Sequence, residues 1–391
     1  MELLGSVVFQ MALLLFVALA GYLIAMRINQ SAVVGIILVG VLVGPSLLGL
    51  ITYTEFISGL AELGAIFMLF VIGLEFRIDE IAKIKYVIIA LVGVIVPWLG
   101  GYVLAKLFHF PFGNAVIIGA ALTATSIAIT ANVLKEMGKL HLPLAKTIIA
   151  IAVIDDVLAL LVLSMSTNAI AGIFSMTSIL LLLGKAVLFL LLGMVVGYFY
   201  VSRLIIAIDR SKLAERYPEL VFIIALLFAF LCALVSHIIG LSAIVGAFLA
   251  GVSLKGLSLR KSKSYQEGTE YLYIVFSAIF FVSLGVLVNI RIVTWFIVLF
   301  VVALTLLAVL TKIIGCGLPA LFFGYTPKDS LAIGCGMSPR GEVAMIVALL
   351  GLNAGIIGQN IYVALVLMAL LTTVITPFML KEWFFKERIR P

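Results

Sequence analysis

Charge is what this sequence has little of. Its 391 residues include 25 Lys and Arg and 18 Asp and Glu, 11% in all, where a soluble domain carries roughly a quarter. A water-facing surface cannot be built from that supply, so a soluble globular domain is excluded. Cysteine is nearly missing as well. Cys232, Cys316 and Cys335 each sit inside an apolar run without metal-ligand spacing, which leaves no disulfide framework and no cysteine metal site. The apolar runs do not alternate with polar residues over ten positions, as a membrane β-barrel requires. No cleavable leader is evident, because the first run, 7–28, is long enough to span and lacks a small-residue cleavage site. The net charge of +7 does not describe a nucleic-acid surface, since the basic residues are dispersed through short loops between apolar runs.

Hydrophobicity is abundant: 65% of residues are apolar and the mean hydropathy is +1.35. Apolar runs of about twenty residues, the length that crosses roughly 30 Å of hydrocarbon, recur along the chain. With no water in that layer the backbone must satisfy itself, and continuous runs do so as helices. The expected fold is therefore an all-α polytopic membrane protein. Thirteen spans are expected at about 5–26, 33–51, 58–74, 86–107, 113–135, 147–166, 178–205, 218–237, 241–255, 271–289, 294–318, 330–352 and 361–381. Charge orients them. The odd-numbered loops and the C-terminal tail hold 20 of the 25 Lys and Arg, while the other loops hold only Lys106 and Arg291. Positive charge favours the cytoplasmic side, so the N-terminus is expected outside and the C-terminus inside. With about ten residues after the last span, no cytoplasmic nucleotide-binding domain is expected on this polypeptide.

Few ionisable residues lie within spans. Lys185 is near the outer end of span 7, where its stem can snorkel, and Glu62 and Glu75 are near span ends. Asp155, Asp156, Lys312, Arg340 and Glu342 lie deep. Each costs at least about 2.5–3.5 kcal/mol to insert, so intramembrane charges point to function. Asp155 and Asp156 are adjacent on span 6, and neighbours on a helix point about 100° apart. One can pair with a fixed cation while the other faces a cavity. Such a carboxylate can be neutralised by a proton or by a metal cation, and competition between the two is the minimal machine for exchange. Lys312, mid-span in span 11, is a suitable partner for an aspartate.

Span 12 contains Gly334-Cys-Gly336-Met-Ser338-Pro339-Arg340-Gly341-Glu342. Three glycines and a proline in nine residues interrupt a helix, and interrupted helices at mid-membrane mark transporter ion sites. Arg340 and Glu342 would most simply satisfy one another or nearby freed backbone groups, a structural pair at the break. Span 5 has a softer counterpart in Thr123-Ala-Thr125-Ser126. Spans 5 and 12 are seven apart, an odd offset that means opposite orientation. Spans 4–6 and 11–13 can thus form an inverted pair whose broken helices cross beside Asp155, Asp156 and Lys312.

These residues carry a resemblance. Its marks are Leu-Val-Gly-Pro-Ser-Leu-Leu-Gly at 42–49, Ala-Glu-Leu-Gly-Ala-Ile-Phe at 61–67, Thr-Ala-Thr-Ser at 123–126 and Val-Ile-Asp-Asp at 153–156. Further along come Gly-Leu-Ser-Ala-Ile-Val-Gly-Ala-Phe-Leu-Ala-Gly at 240–251, Ile-Phe-Phe-Val-Ser-Leu-Gly at 279–285 and Ser-Pro-Arg-Gly-Glu at 338–342. In this order the chain resembles the monovalent cation/proton antiporter superfamily, in its electrogenic two-aspartate branch, and looks most like NapA-type Na⁺/H⁺ antiporters.

The resemblance implies that Asp156 binds Na⁺ (or Li⁺) and carries protons. It further implies that Asp155 forms a releasable ion pair with Lys312, and that Thr125 and Ser126 lie at the crossing. It implies a homodimer in the cell membrane, with interface segments 1–84 and 218–290, mobile core segments 85–167 and 291–391, and a linker, 168–217. One departure is that Val34-Gly35-Ile36-Ile37 lacks the glutamate many members carry after this glycine. Transport is expected rather than enzymatic catalysis, with no cofactor beyond the transported Na⁺ and H⁺. The alternative within the fold is K⁺/H⁺ exchange. An intramembrane aspartyl protease needs its two aspartates on different helices, which the adjacency of Asp155 and Asp156 prevents. A channel does not need the central Lys–Asp pair.

Overall fold

The computed structural model describes residues 7–27, 31–74, 76, 83–170, 176–217, 219–255, 257, 264–287 and 295–384, and every regular element among them is helical. In chain order these are α1 (Val7–Arg27), α2 (Ala32–Val43), α3 (Glu55–Gly73), α4 (Ile84–Leu107), α5 (Phe112–Thr123), α6 (Ile127–Glu136), α7 (Pro143–Ile170), α8 (Met176–Val195), α9 (Ser202–Arg210), α10 (Lys212–Arg216), α11 (Leu220–Ile238), α12 (Ala243–Ser253), α13 (Ser264–Val286), α14 (Trp295–Lys312), α15 (Leu318–Phe322), α16 (Pro327–Gly336), α17 (Glu342–Asn353) and α18 (Gln359–Met379). Nine helical stretches among the described residues are long and apolar enough to cross a membrane, and three further apolar helices are shorter.

Several boundaries differ from the expected spans for local reasons. α2 ends at Val43, eight residues before the expected limit of 51. Gly44 precedes Pro45, and a residue before proline is driven out of the helical region. The chain then turns back through Gly49, at φ 64°, whose N–H donates to the Gly44 carbonyl at 2.8 Å. α14 runs into a π-helical turn, Ile313–Gly317, directly after Lys312. Pro319 lacks an N–H and crowds the carbonyl four residues back, and widening one turn is a common accommodation.

The helices pack as two units. One comprises Met1–Thr54, Lys83–Ser175 and Phe281–Pro391; the other comprises Glu55–Ala82 and Met176–Phe280. These are packing units of one conformer, whereas the interface, core and linker segments expected from the resemblance are defined by what moves together. In the first unit α4, α5, α14, α17 and α18 share an apolar core around Ile117, Phe300, Leu304 and Met368. In the second, α3, α11 and α12 enclose Phe70, Ala229 and Ala247.

Each unit contains the same glycine crossing. A Cβ on Gly40 of α2 would meet the Val282 carbonyl of α13 at 2.6 Å, and one on Gly285 would meet the Ile37 carbonyl at 2.3 Å. A Cβ on Gly251 of α12 would meet the Phe70 carbonyl of α3 at 2.2 Å, and one on Gly73 would meet the Phe248 carbonyl at 2.4 Å. In every case the clash is with the carbonyl three residues before the partner glycine. The sequence repeats accordingly: Ser-Ala-Val-Val-Gly-Ile-Ile-Leu-Val-Gly at 31–40 matches Ser-Ala-Ile-Val-Gly-Ala-Phe-Leu-Ala-Gly at 242–251. Lipid is as apolar as leucine, so helices associate by close packing, which small residues permit.

Gly285→Val and Gly251→Val are therefore expected to lower the detergent melting temperature, with a loss of about 1–3 kcal/mol from overpacking. Gly59→Ala, where nothing lies within 4 Å, is the control expected to be neutral. Unchanged melting of both valine variants would show that the crossings do not hold each unit's own helices together.

Candidate functional site

Two helix interruptions face each other in the first unit. α5 stops at Thr123 and α6 starts at Ile127, with Ala124 (ψ 138°) and Ser126 (ψ 103°) extended. The hydroxyl run at 123–126 offers the backbone local alternatives to the helical ladder. α16 stops at Gly336 and α17 starts at Glu342, across the stretch that holds Pro339 and Gly341. The last carbonyls of a helix have no partner within it, and a buried one left unsatisfied costs about 1–3 kcal/mol.

Across the second break every such carbonyl is met. The Thr130 hydroxyl donates to Gly336 O at 2.6 Å and the Thr125 hydroxyl to Met337 O at 3.1 Å. The Arg340 guanidinium donates to Met337 O and Ser338 O, each at 3.2 Å, and to Ala308 O of α14 at 3.3 Å. The Ser126 N–H reaches Pro339 O at 2.9 Å, which ties one break directly to the other. α18 grips the Arg340 peptide from both sides: Arg340 N–H donates to the Thr372 hydroxyl at 3.1 Å, and the Thr373 hydroxyl donates to Arg340 O at 2.9 Å.

Beside this crossing α7 places Asp155 against Lys312 of α14. The Lys312 ammonium donates to Asp155 Oδ1 at 2.6 Å, and both side chains are 0% exposed. Asp155 Oδ2 has no hydrogen-bond partner among the described residues, and Thr125 and the Arg340 charge lie close by. Asp156, 3% exposed, is the next residue on α7 and so heads about 100° away. Thr125 and Ser126 are buried at the break, and the Ser126 hydroxyl has no partner among the described residues. The structure thus brings Asp155, Lys312, Arg340, Thr125 and Ser126 together, with Asp156 one helical step on. Arg340 is bound to backbone carbonyls. The Glu342 side chain, expected beside it, lies outside the described residues, as do Glu75 and the loop residues Arg77 and Arg291. Lys185 and Glu62 are exposed on their helices.

Sequence reasoning passed over Thr130, Thr372 and Thr373, although two adjacent threonines in an otherwise apolar run were a visible signal. It also passed over a polar knot at the first residues of spans 4 and 6. The Thr147 hydroxyl lies 3.3 Å from Tyr86 Oη and 3.2 Å from Tyr325 Oη, and the Lys85 ammonium sits 4.5 Å above the Tyr325 ring. Burial pushes the Tyr325 phenol up, but hydrogen bonds from Lys85, Thr147 and Tyr86 and the Lys85 charge together hold it below its ordinary value.

An apolar chain of helices, broken twice where a buried lysine–aspartate pair sits, has the build of an ion transporter, integral to the membrane and crossing it many times. The chain belongs to the sodium/hydrogen exchanger family: the family profile described as "Sodium/hydrogen exchanger, transmembrane" matches residues 13–386. It is 35% identical to the Na(+)/H(+)-K(+) antiporter GerN of Bacillus cereus, over 96% of each chain. It is 32% identical to a Na(+)/H(+) antiporter of Enterococcus hirae, over 97% of this chain and 98% of that one. Its fold is similar to that of the sodium proton antiporter MjNhaP1 from Methanocaldococcus jannaschii, with a TM-score of 0.68 at 19% identity over 95% of both chains. The members of this family are transporters, and the protein is a multi-pass protein of the cell membrane.

Breaking a buried pair strands the remaining charge, at about 3–5 kcal/mol. Asp155→Asn leaves Lys312 facing the like charge of Arg340, whereas Lys312→Met leaves Asp155 with Arg340 still nearby. Asp155→Asn is therefore expected to be the costlier single change, and the double variant to melt higher than Asp155→Asn alone. Additive losses in a thermal-unfolding cycle would contradict a coupled pair.

Proposed function

We propose that this protein exchanges Na⁺ (or Li⁺) for protons by alternating access, with Asp156 as the site that the cation and the proton occupy in turn. The observation that carries the reading is the 2.6 Å bond between Lys312 and Asp155. It neutralises one buried carboxylate and leaves its neighbour on α7 as a second buried carboxylate with a different heading. The ends of α5 and α16 add partial negative charge beside it, and those of α6 and α17 partial positive charge, a pattern suited to a monovalent cation that must also leave.

The same reading includes thirteen spans with the N-terminus outside and the C-terminus inside, supported by the loop charge asymmetry. It includes an inverted repeat, supported by the matching glycine crossings and the two facing breaks. Segments 85–167 and 291–391 would move as a core against a dimeric interface of 1–84 and 218–290, linked by 168–217. Exchange is electrogenic in this account. Two carboxylates and one lysine hold two titrating protons on one crossing and one Na⁺ on the other, so the moving site carries different charge in the two directions. A K⁺/H⁺ reading has one support, the potassium in the name of the Bacillus cereus relative, and comparing Na⁺, Li⁺ and K⁺ in one assay separates the two.

Asp156→Asn can neither titrate nor neutralise a cation. Reconstituted into proteoliposomes, it is expected to show Na⁺-driven proton movement at the level of empty vesicles, while its elution profile and melting stay those of the parent. Robust exchange by that variant would place the carrier elsewhere.

A further inference from the structure

α6 joins two places. Its first turn follows the break at Ser126, and its last residue, Glu136, reaches the start of α2. The Ser31 hydroxyl donates to Glu136 Oε2 at 2.6 Å, and the Ala32 N–H donates to Glu136 Oε1 at 2.6 Å. Both carboxylate oxygens are thus spent on the first residues of a helix more than a hundred positions away in sequence. The repeat supplies an internal comparison. Ser242 begins α12 as Ser31 begins α2, with the same extended backbone (φ −65°, ψ 136° against φ −62°, ψ 140°). Ser242 caps its own helix, accepting from the Ile244 N–H at 3.3 Å, whereas Ser31 makes no cap bond. In α2 the capping role has passed to a residue of α6.

α2 also leads to the ion site. Its middle residue Ile37 lines, with Leu284, Met345, Val366 and Thr373, the small cavity that reaches Arg340. α2 is locked onto α13 by the Gly40–Gly285 crossing and onto α1 by Gly35, whose Cβ would meet the Gly21 carbonyl at 2.2 Å. No such interlock ties α2 to α6. Glu136, which is exposed, joins them by a polar bond. A glycine crossing cannot slide open without repacking. A solvated carboxylate on a helix N-terminus is a weak bond, of the strength that a cycle can make and break.

We propose that Glu136 is a positioning residue for transport, a latch that holds α6 to the N-terminus of α2 when the site is closed on that face and lets go when it opens. By the loop charges that face is the cytoplasmic one. The proposal rests on the exchange reading above, with α2 on the interface side of the motion and α6 on the core side.

The test measures the apparent KM for Na⁺ separately at the two membrane faces, using oriented vesicles. Removing the latch favours opening on its own face. Glu136→Ala is therefore expected to lower the apparent KM on the face bearing Glu136 and raise it on the opposite face, by roughly three- to tenfold. General damage would move both values the same way. A second arm uses Ser31→Cys with Glu136→Cys, since Cys232, Cys316 and Cys335 are buried. Its exchange is expected to fall at least tenfold on bridging with a short reducible bifunctional thiol reagent and to return on reduction. KM values that stay put or move together, or a bridged protein that exchanges at its unbridged rate, would overturn the latch. Absence of exchange in the parent protein would instead overturn the function on which the latch rests.

Discussion

A helix interrupted inside hydrocarbon leaves carbonyls that no water can reach, and each must find a donor within the protein. Here the donors come from the opposite break and from Arg340 within the same one. Thr125, Ser126 and Thr130 serve the 336–339 stretch, and Arg340 serves Met337, Ser338 and Ala308. The first interruption therefore stabilises the second. Arg340 can stay buried because its charge is spread over three carbonyls and lies near Asp155. The threonine pair on α18 fixes its peptide. The ion pair of Asp155 and Lys312 then sits in a frame whose backbone geometry is already determined, with Asp156 carried along by the rigidity of α7.

That frame also explains the division of labour between tight and loose contacts. Glycine crossings bind α2 to α13 and α3 to α12 with backbone against backbone, an interaction without intermediate positions. Polar contacts such as Glu136 with Ser31, or Tyr325 with Thr147, can be exchanged for water near the membrane surface at little cost. Motion in such a protein is expected along the polar seams, with the glycine-packed helices travelling as rigid bodies.

Much of this was legible in the amino-acid sequence, and the limits were physical. Asp155, Asp156 and Lys312 stood out because charge in hydrocarbon has few explanations, and a lysine in one span facing an aspartate in another needs little geometry to pair. The break in span 12 was evident from its glycines and proline. For Arg340 the sequence left two partners open, Glu342 and freed backbone groups, and the structure places it on backbone carbonyls, which leave no trace in residue identity. The early end of α2 was written in Gly44-Pro45 but was outweighed by the apolar residues that continue to Ile51. Nothing in the sequence singled out Glu136, whose partners are the Ser31 hydroxyl and the backbone N–H at the start of a distant helix. The repeat of 31–40 in 242–251 was present in the letters and needed only the comparison.

Central to the account is that Na⁺ and H⁺ take turns on one carboxylate. The most direct measurement is the apparent KM for Na⁺ of the reconstituted protein across a series of pH values, with the membrane potential clamped. Competition predicts that KM rises as pH falls, while the maximal rate changes less. A KM that stays constant across the active range would mean that the two ions use separate sites, and would contradict the central claim.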